Sequence, residues 1–378
     1  MTNLILVSRA ARSLAYGALA VVLAQALASR AFSPLAIGAL ITVALVSGAA
    51  FSALAGMLTR RFGARATLAA SGVMMVAAAA LLAGSQPAIA LACLLGVVSP
   101  GGQDVGPFAA IEQVALAADG HALMRRLSWY NVVGALALAA GALVAALVPF
   151  AGVLVVYGAA GAVVALVAAA LPALPREDAP PAAPRAARVG VVERLAALFA
   201  LDAFAGGFVV QAFIAYWFAL RFGAGPRTLG PLLFGANLLA AASFVLADRV
   251  AARIGLLRTM VFTHLPSNVL LCLIPFMPTL PLAAAVLLGR FALSQMDVPT
   301  RQAYTLSLVP PHDRARAAGV TAAVRPAAAS IAPVLTGLAF QSAALGLPFL
   351  LAGGIKIVYD LALLATFRNA EAGDRPER

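Results

Sequence analysis

Charged side chains are scarce in this sequence. They make up 11% of its 378 residues, whereas apolar residues make up 63% and the mean hydropathy is +0.98. A soluble globular chain is about one quarter charged, and a water-soluble fold could not bury this much apolar side-chain surface. The composition therefore excludes an ordinary soluble domain and predicts a polytopic membrane protein with room for about twelve helices.

Cysteine, histidine and lysine are also rare. The sequence has two cysteines and three histidines, and arginine outnumbers lysine 25 to 1. Cys93 and Cys272 fall inside apolar runs, so we expect packing residues and neither a disulfide nor a metal site. His121, His264 and His312 lack metal-ligand spacing and are interpreted as structural or solvated. Neither a phosphate-binding loop nor a Ser/His/Asp set stands out, so we expect no ATP-driven pump, no enzyme, no cofactor and no metal.

Long apolar segments alternate with short loops along the whole chain. We predict spans at residues 6–28, 34–57, 66–84, 88–110, 127–149, 153–171, 195–220, 229–247, 257–277, 280–303, 317–339 and 347–367. Residues 172–194 separate the two sets of six and are rich in proline and arginine, which indicates an irregular, water-exposed linker. The predicted fold class is therefore an all-α membrane protein with an N-terminal six-helix bundle (1–171), a cytoplasmic linker (172–194) and a C-terminal six-helix bundle with a short tail (195–378).

Arginine is unevenly distributed between alternate loops. One side of the predicted topology collects most of the arginines, whereas the other side has only Arg30, Arg221 and Arg227. Because positive loops stay in the cytoplasm, this pattern places both termini and the linker there, in a cytoplasmic (inner) membrane. It also accounts for the net charge of +12 without a nucleic-acid partner.

The two halves of the sequence repeat each other at an offset near 192. The pairs are Gly38 with Gly230, Arg61 with Arg253, Gly63 with Gly255, and, at an offset of 193, Asp104 with Asp297. Internal repeats of this kind are typical of secondary transporters.

The segment from Gly56 to Arg65, GMLTRRFGAR, follows the second predicted span. It resembles the cytoplasmic loop signature of the major facilitator superfamily, G-x-L-x-D-R-x-G-R-R. Gly56, Arg61, Gly63 and Arg65 match that signature, and an arginine stands at position 60 where the family has an acid. The alternative is that these arginines only anchor the topology. The resemblance implies two six-helix halves, a cavity between them lined by spans one and four of each half, and transport by alternating access.

The fifth span lacks the intact proline-glycine motif that antiporters of this family carry. Gly134 and Gly141 fall there at helical spacing, and we expect them to serve close helix packing.

Several ionisable residues fall inside predicted spans, where a charge in hydrocarbon costs at least about 2.5–3.5 kcal/mol. Arg12 and Asp104 lie at similar depth on spans one and four, so we expect a charge pair in the cavity, and we place Arg301 in the same class. Lys356 and Asp360 are four residues apart and are expected to form a structural pair. Glu112 and its neighbour at position 113 are interpreted as a solvated helix end.

The repeat places Asp202 where the first half has Arg12, and Asp297 where it has Asp104. Two carboxylates close together in a low-dielectric cavity cannot both ionise cheaply, so one should hold a proton. We therefore predict that Asp202 and Asp297 carry the coupling proton. The alternative, left open by the sequence, is that Arg301, Arg290 or Arg325 neutralises them.

The segment from Ser99 to Pro107 combines three glycines and two prolines inside one span, which predicts a broken helix lining a cavity. With residues 295–302, its counterpart in the second half, it is our candidate for the substrate region. The candidate substrate residues, each of which could instead be a packing or interface residue, are Tyr16, Gln103, Gln211, Tyr216, Trp217, Asn237, Gln295 and Arg325.

Taken together, these features predict a secondary active transporter of a small solute, with proton-coupled efflux as the first choice. Proton-coupled uptake or uniport of a small polar metabolite is the alternative, as is a non-transporting membrane sensor on the same scaffold. The expected partners are a small-molecule substrate, the lipid bilayer and protons, and the expected state is a monomer.

Overall fold

The computed structural model describes residues 1–117, 123–172, 189–308 and 314–367, and these ranges are helical with short connections. Most of the predicted linker, the C-terminal tail after residue 367, His121 and His312 lie outside the described residues. The helices are α1 (Thr2–Ala28), α2 (Pro34–Ala53), α3 (Ala55–Phe62), α4 (Ala64–Ala83), α5 (Gln86–Leu94), α6 (Phe108–Ala117), α7 (Leu123–Leu147), α8 (Phe150–Ala170), α9 (Val189–Gly207), α10 (Gln211–Phe222), α11 (Pro226–Ile254), α12 (Leu256–Leu273), α13 (Leu280–Ser294), α14 (Asp297–Ser307), α15 (Arg314–Ala329), α16 (Ala332–Gln341) and α17 (Leu347–Phe367).

Ten helical segments among the described residues are long and apolar enough to cross a membrane. They coincide with ten of the predicted spans, and the remaining two predicted spans, 88–110 and 280–303, are each interrupted. The prediction of an all-helical, polytopic membrane protein is confirmed. Interrupted helices leave backbone groups without helical partners, which a membrane protein tolerates where they are buried in protein or line a cavity.

The interruption in span four covers residues 95–107, between the end of α5 and the start of α6. Gly96, Gly102 and Gly106 have φ values of 71°, 73° and 78°, which residues with a side chain rarely adopt. The predicted break is therefore confirmed and is built from its glycines. The counterpart in the second half is a shorter break, with α13 ending at Ser294 and α14 beginning at Asp297.

The chain packs as two compact units. The first comprises Met1–Pro180, Val210–Asn237 and Pro333–Gln341, and the second comprises Pro181–Val209, Leu238–Ala332 and Ser342–Arg378. These units differ from the sequence-based division into 1–171 and 195–378, which concerns the repeat and stays a prediction.

Small residues allow the helices of the first unit to approach closely. A Cβ added at Gly17 would overlap the carbonyl of Leu138, and one added at Gly141 would overlap the carbonyl of Leu14. Both contacts join α1 to α7. The expected packing role of Gly141 is confirmed, because only a residue without a side chain fits at this separation.

The repeat is visible in the backbone. Gly63, between α3 and α4, and Gly255, between α11 and α12, have φ values of 86° and 88°. One turn later, Thr67 Oγ1 donates to the carbonyl of Gly63 at 2.9 Å, and Thr259 Oγ1 donates to the carbonyl of Gly255 at 2.7 Å. Both pairs are 192 residues apart. The positions that the sequence repeat relates therefore have the same turn geometry.

The arginines around this first turn differ in their contacts. Arg65 Nη2 donates at 2.5 Å to the carbonyl of Ala169, one of the last carbonyls of α8, which have no partner within the helix. Arg60 is exposed, and Arg61 lies over the ring of Phe62 at 5.4 Å. The motif therefore connects the α3–α4 turn to the end of α8 through Arg65.

Candidate functional site

A network of charged side chains lies in the first unit and centres on Arg12, which is fully buried on α1. Arg12 Nε lies 2.8 Å from Asp104 Oδ1, in the broken part of span four. Its Nη1 and Nη2 lie 2.9 and 2.8 Å from the two carboxylate oxygens of Glu112 on α6. The predicted proximity of Arg12 and Asp104 is therefore observed, with Glu112 as a bidentate second partner, a geometry that suits a planar guanidinium.

Neutral donors complete the coordination of Glu112. Ser8 Oγ donates to Oε1 at 2.6 Å, and Tyr130 Oη donates to Oε2 at 2.8 Å. Arg9 contacts Asp104 and lies over the ring of Tyr130 at 4.6 Å. The described part of the network thus balances two arginines with two carboxylates.

The expectation that Glu112 lies on a solvated helix end is wrong, because the residue is only 1% exposed. Its depth follows from the break in span four, since α6 begins at Phe108 and turns Glu112 towards Arg12. The sequence carries a signal for Glu112, because α1 has two arginines and no acid, and Asp104 alone balances one of them.

A second network lies in the second unit and centres on Asp202, which is 2% exposed on α9. Arg325 Nη1 on α15 lies 2.9 Å from Asp202 Oδ2, and Lys356 Nζ on α17 contacts Oδ1. Arg301 Nη1 on α14 lies 3.5 Å from Oδ2, and His264 Nε2 on α12 lies 3.8 Å from Oδ1. One carboxylate is therefore within ion-pair distance of side chains from four other helices.

Asp297 has its own cation. Arg301 Nη1 lies 2.5 Å from Asp297 Oδ2, one turn away on the same helix. Arg301 thus bridges Asp297 and Asp202, as Arg12 bridges two acids in the first unit. The geometry corresponds to the alternative in which arginines neutralise the two acids, and it does not show a carboxylate pair that shares one proton.

The expected pair between Lys356 and Asp360 is replaced by two separate interactions. Lys356 contacts Asp202, whereas Asp360 Oδ1 lies 2.8 Å from His264 Nδ1 and Asp360 Oδ2 accepts from Asn268 Nδ2 at 2.9 Å. The two side chains diverge because each finds a buried partner on another helix. His264 and Asn268, four apart on α12, were not predicted as site residues, although their spacing places them on one helix face.

The predicted substrate residues occupy three kinds of position. Tyr16, Gln211, Tyr216, Trp217 and Asn237 are buried, Gln295 and Arg325 are partly buried, and Gln103 is exposed. Among the described residues, Tyr16 Oη, Gln211 Nε2 and Asn237 Nδ2 are buried without a hydrogen-bond partner. Buried polar atoms without partners are uncommon and need an explanation, such as a bound ligand.

Gln211 also adjoins the broken part of span four. The backbone N–H of Ala212 donates to the carbonyl of Pro100 at 3.1 Å, and a Cβ at Gly102 would lie 3.7 Å from Gln211 Oε1. The aromatic candidates pack on other rings: Tyr16 lies 6.1 Å from Tyr157, centroid to centroid. Some candidates therefore have polar atoms free for a ligand, and others pack against neighbouring rings, as the two sequence interpretations allow.

A cavity of about 1190 Å³ in the first unit lies elsewhere. It is lined mainly by apolar side chains of α1, α4 and α8, together with Arg30 and Gln25, and it includes none of the predicted site residues. We therefore base the candidate site on the two charged networks, whose chemistry is specific, and not on this apolar recess.

The family model of the Major Facilitator Superfamily matches residues 4–294. The chain belongs to this superfamily. Members of this superfamily are secondary transporters built from repeats, and the multi-pass helical architecture and the internal repeat of this chain agree with that membership. The resemblance inferred from the loop motif and the repeat is confirmed.

Solved structures match over nearly the whole chain at low identity. The nucleoside transporter NupG covers 97% of this chain and 99% of its own at 14% identity and a TM-score of 0.78. A D-xylose-proton symporter matches over 96% of this chain and 96% of its own, at 13% identity and a TM-score of 0.72. The human organic anion transporter MFSD10 matches over 96% of this chain and 98% of its own, at 17% identity and a TM-score of 0.71. These matches show the shared fold.

A curated relative is an uncharacterized membrane protein of Saccharomyces cerevisiae, 28% identical over 183 residues. The match covers 48% of this chain and 41% of the yeast protein, so the chain spans about two-fifths of that relative's length.

Proposed function

We propose that this transporter moves a small solute by alternating access and exports it in exchange for protons. The observation that carries the proposal is the contact set of Asp202, which links α9 to Arg301 on α14, Arg325 on α15 and Lys356 on α17. Buried ion pairs inside a membrane are costly, and ionisable residues there are functional candidates by default.

A proton on Asp202 would remove the charge that holds these cations. The neutral carboxyl could still accept hydrogen bonds, but without the charge that strengthens them, so contacts to three helices would weaken in a single step. Asp297 offers a second acceptor through Arg301, which already contacts both acids. Movement of Arg301 from Asp297 to Asp202 would leave Asp297 without a cation, so that a proton could bind it, whereas Asp202 would release Arg325, Lys356 and Arg301 when it is protonated; these are the steps we assign to the two acids.

The solute contacts that we propose are the buried, unpartnered polar atoms of the first unit. Tyr16 Oη, Gln211 Nε2 and Asn237 Nδ2 could each bond a polar group of a solute. Arg12, which pairs with Asp104, lies one helical turn from Tyr16 on α1, so this pair would supply charge beside the Tyr16 hydroxyl. The match to a proton symporter for D-xylose is consistent with proton coupling on this fold, but it concerns that protein alone.

The cellular setting is part of the same proposal. We place the chain in a cytoplasmic (inner) membrane as a monomer, with both termini and the linker 172–194 in the cytoplasm and with the halves 1–171 and 195–378 as the moving bodies. The arginine distribution supports this orientation. Uptake or uniport would use the same site with a different direction of flux, as would binding without transport in a sensor.

The test is solute flux in vesicles with an imposed pH gradient. A solute is first identified by its thermal stabilisation of the purified protein, because a ligand that binds only the native form raises its stability. Efflux and uptake are then measured in right-side-out and inverted vesicles. We expect Asp202→Asn and Asp297→Asn to lose the response to the gradient while downhill movement of solute continues.

Asp248→Asn is the matched control, because Asp248 is an exposed aspartate on α11. It should keep the full gradient response. If either buried variant also keeps it, Asp202 and Asp297 do not carry the coupling proton. If the wild type moves no solute in any vesicle, the transport proposal itself is wrong.

A further inference from the structure

Among the residues that the structure describes, the buried charges of the second unit do not balance. The buried or partly buried cations near Asp202 are Arg290, Arg301, Arg325 and Lys356, and the buried acids are Asp202, Asp297 and Asp360. Each of these acids already has a partner at contact distance, namely Arg325 and Lys356 for Asp202, Arg301 for Asp297, and His264 with Asn268 for Asp360. Counted without His264, these four cations and three acids leave one positive charge over. In the first unit, the corresponding network is balanced.

Arg290 carries that excess charge. It lies on α13, is only 9% exposed, and makes no ion pair with any residue in the described ranges. Its Nε is buried without a hydrogen-bond partner. Asp202 and Asp297 are the acids that act on it electrostatically, so it belongs to the same network without contacting them. A buried cation without a partner is strongly unfavourable in a membrane protein, and such residues face a substrate route or a partner.

The surroundings of Arg290 supply further polar groups. Ser294 is buried one helical turn later and accepts a hydrogen bond from Gln295 Nε2 at 3.4 Å. Residues four apart share a helix face, so Arg290 and Ser294 lie on one side of α13, next to the break at residues 295–296. A guanidinium, a hydroxyl and an amide are donors that suit an oxyanion.

We propose that the transported solute is a small anion and that Arg290 is its charge-binding residue, with Ser294 and Gln295 as supporting donors. This inference rests on the proposed transport function and names its substrate class. A carboxylate or phosphate bound at Arg290 would neutralise the excess charge, and its departure would restore it. The same chemistry occurs in phospholipid headgroups, so the test separates a free anion from a lipid.

The test measures thermal unfolding of the purified full chain with matched probes. These are benzoate with benzamide, lactate with lactamide, inorganic phosphate, and short-chain phosphatidylglycerol as the lipid source. We expect at least one free anion, and not its neutral amide, to stabilise the wild type. Loss of a hydrogen bond to a charged group weakens binding about 10- to 100-fold, which is the change expected for Arg290→Gln. Arg290→Lys should retain part of the affinity.

Arg221→Gln is the matched control, because Arg221 is exposed and, like Arg290 with Phe291, lies over the ring of the phenylalanine that follows it. It should bind anions as the wild type does. Without ligand, Arg290→Gln should be at least as stable as the wild type, since it removes an unpaired buried charge. A large loss of stability would instead assign Arg290 a structural role and overturn the proposal.

The proposal also fails if amides stabilise as well as anions, if only the lipid stabilises, if no probe does, or if Arg290→Gln binds anions normally. A flux measurement in proteoliposomes separates this failure from that of the transport function. Movement of a neutral solute that is insensitive to Arg290→Gln would leave the transporter intact and remove the anion assignment. Arg290-dependent anion binding without any flux would support the anion site and contradict the transport function.

Discussion

Replacement of Arg12 by glutamine tests the network of the first unit. The substitution removes three short contacts at once, one to Asp104 and two to Glu112. Glu112, 1% exposed, would be left as a buried carboxylate with only Ser8 and Tyr130 as neutral donors. Removing one partner of a buried ion pair costs about 3–5 kcal/mol, so we expect the free energy of unfolding to fall by that amount.

Replacement of its partner, Glu112→Gln, should lower the free energy of unfolding by less. Arg12 keeps its contact with Asp104, and the amide can still accept from Ser8. The expected loss is about 1–3 kcal/mol, the usual cost of an imperfectly satisfied buried group. The double variant removes both buried charges together, so its loss should be smaller than the sum of the two single losses by about 0.5–3 kcal/mol.

The assay is reversible unfolding in mixed micelles, with Arg253→Gln as a control at an exposed arginine. The control should change the free energy of unfolding by no more than about 0.5 kcal/mol. Strict additivity of Arg12→Gln and Glu112→Gln, or a loss at Arg12 no larger than that of the control, would refute the inference that this network stabilises the unit.

Two further predictions concern glycines and use the same unfolding measurement. Gly141→Ala should lower the free energy of unfolding by about 1–3 kcal/mol, because the added Cβ would overlap the Leu14 carbonyl. Gly354→Ala, with open space around it on α17, is the control and should be neutral or stabilising. Equal effects of the two substitutions would contradict the close approach of α1 and α7. Gly63→Ala and Gly255→Ala should each cost about 1–3 kcal/mol, because both combine a positive φ with ψ values of 153° and 163°, a region almost confined to glycine, and a repeat of equal geometry predicts equal losses. A loss at only one of them would argue against the structural equivalence of the two turns.

The helical membrane fold could be predicted because it depends on the composition of whole segments of the chain. Apolar runs, basic loops and glycine-rich breaks are each visible in the sequence, and the segment from Ser99 to Pro107 shows its break through its own glycines and prolines. The offset near 192 was likewise readable, since Gly63 and Gly255 repeat a local requirement for positive φ.

The partners of the buried charges could not be predicted in the same way. Pairing depends on which helix faces meet, and the sequence spacing of Lys356 and Asp360 suggested a local pair that loses to Asp202 and His264 on other helices. Glu112 was misplaced because the break in span four changes the depth of everything after it. From the sequence, Arg290 is only a candidate to neutralise the two aspartates, because the charges can be balanced only when the contacts of the described residues are known.

The most direct test of the account is proton movement coupled to solute movement in proteoliposomes that contain a pH-sensitive dye. Addition of a stabilising solute on one side should change the internal pH with the wild type and with Asp248→Asn, and should leave it unchanged with Asp202→Asn. Solute flux in the wild type that proceeds without any pH change, and at the same rate with or without an imposed gradient, would contradict proton-coupled transport by this chain.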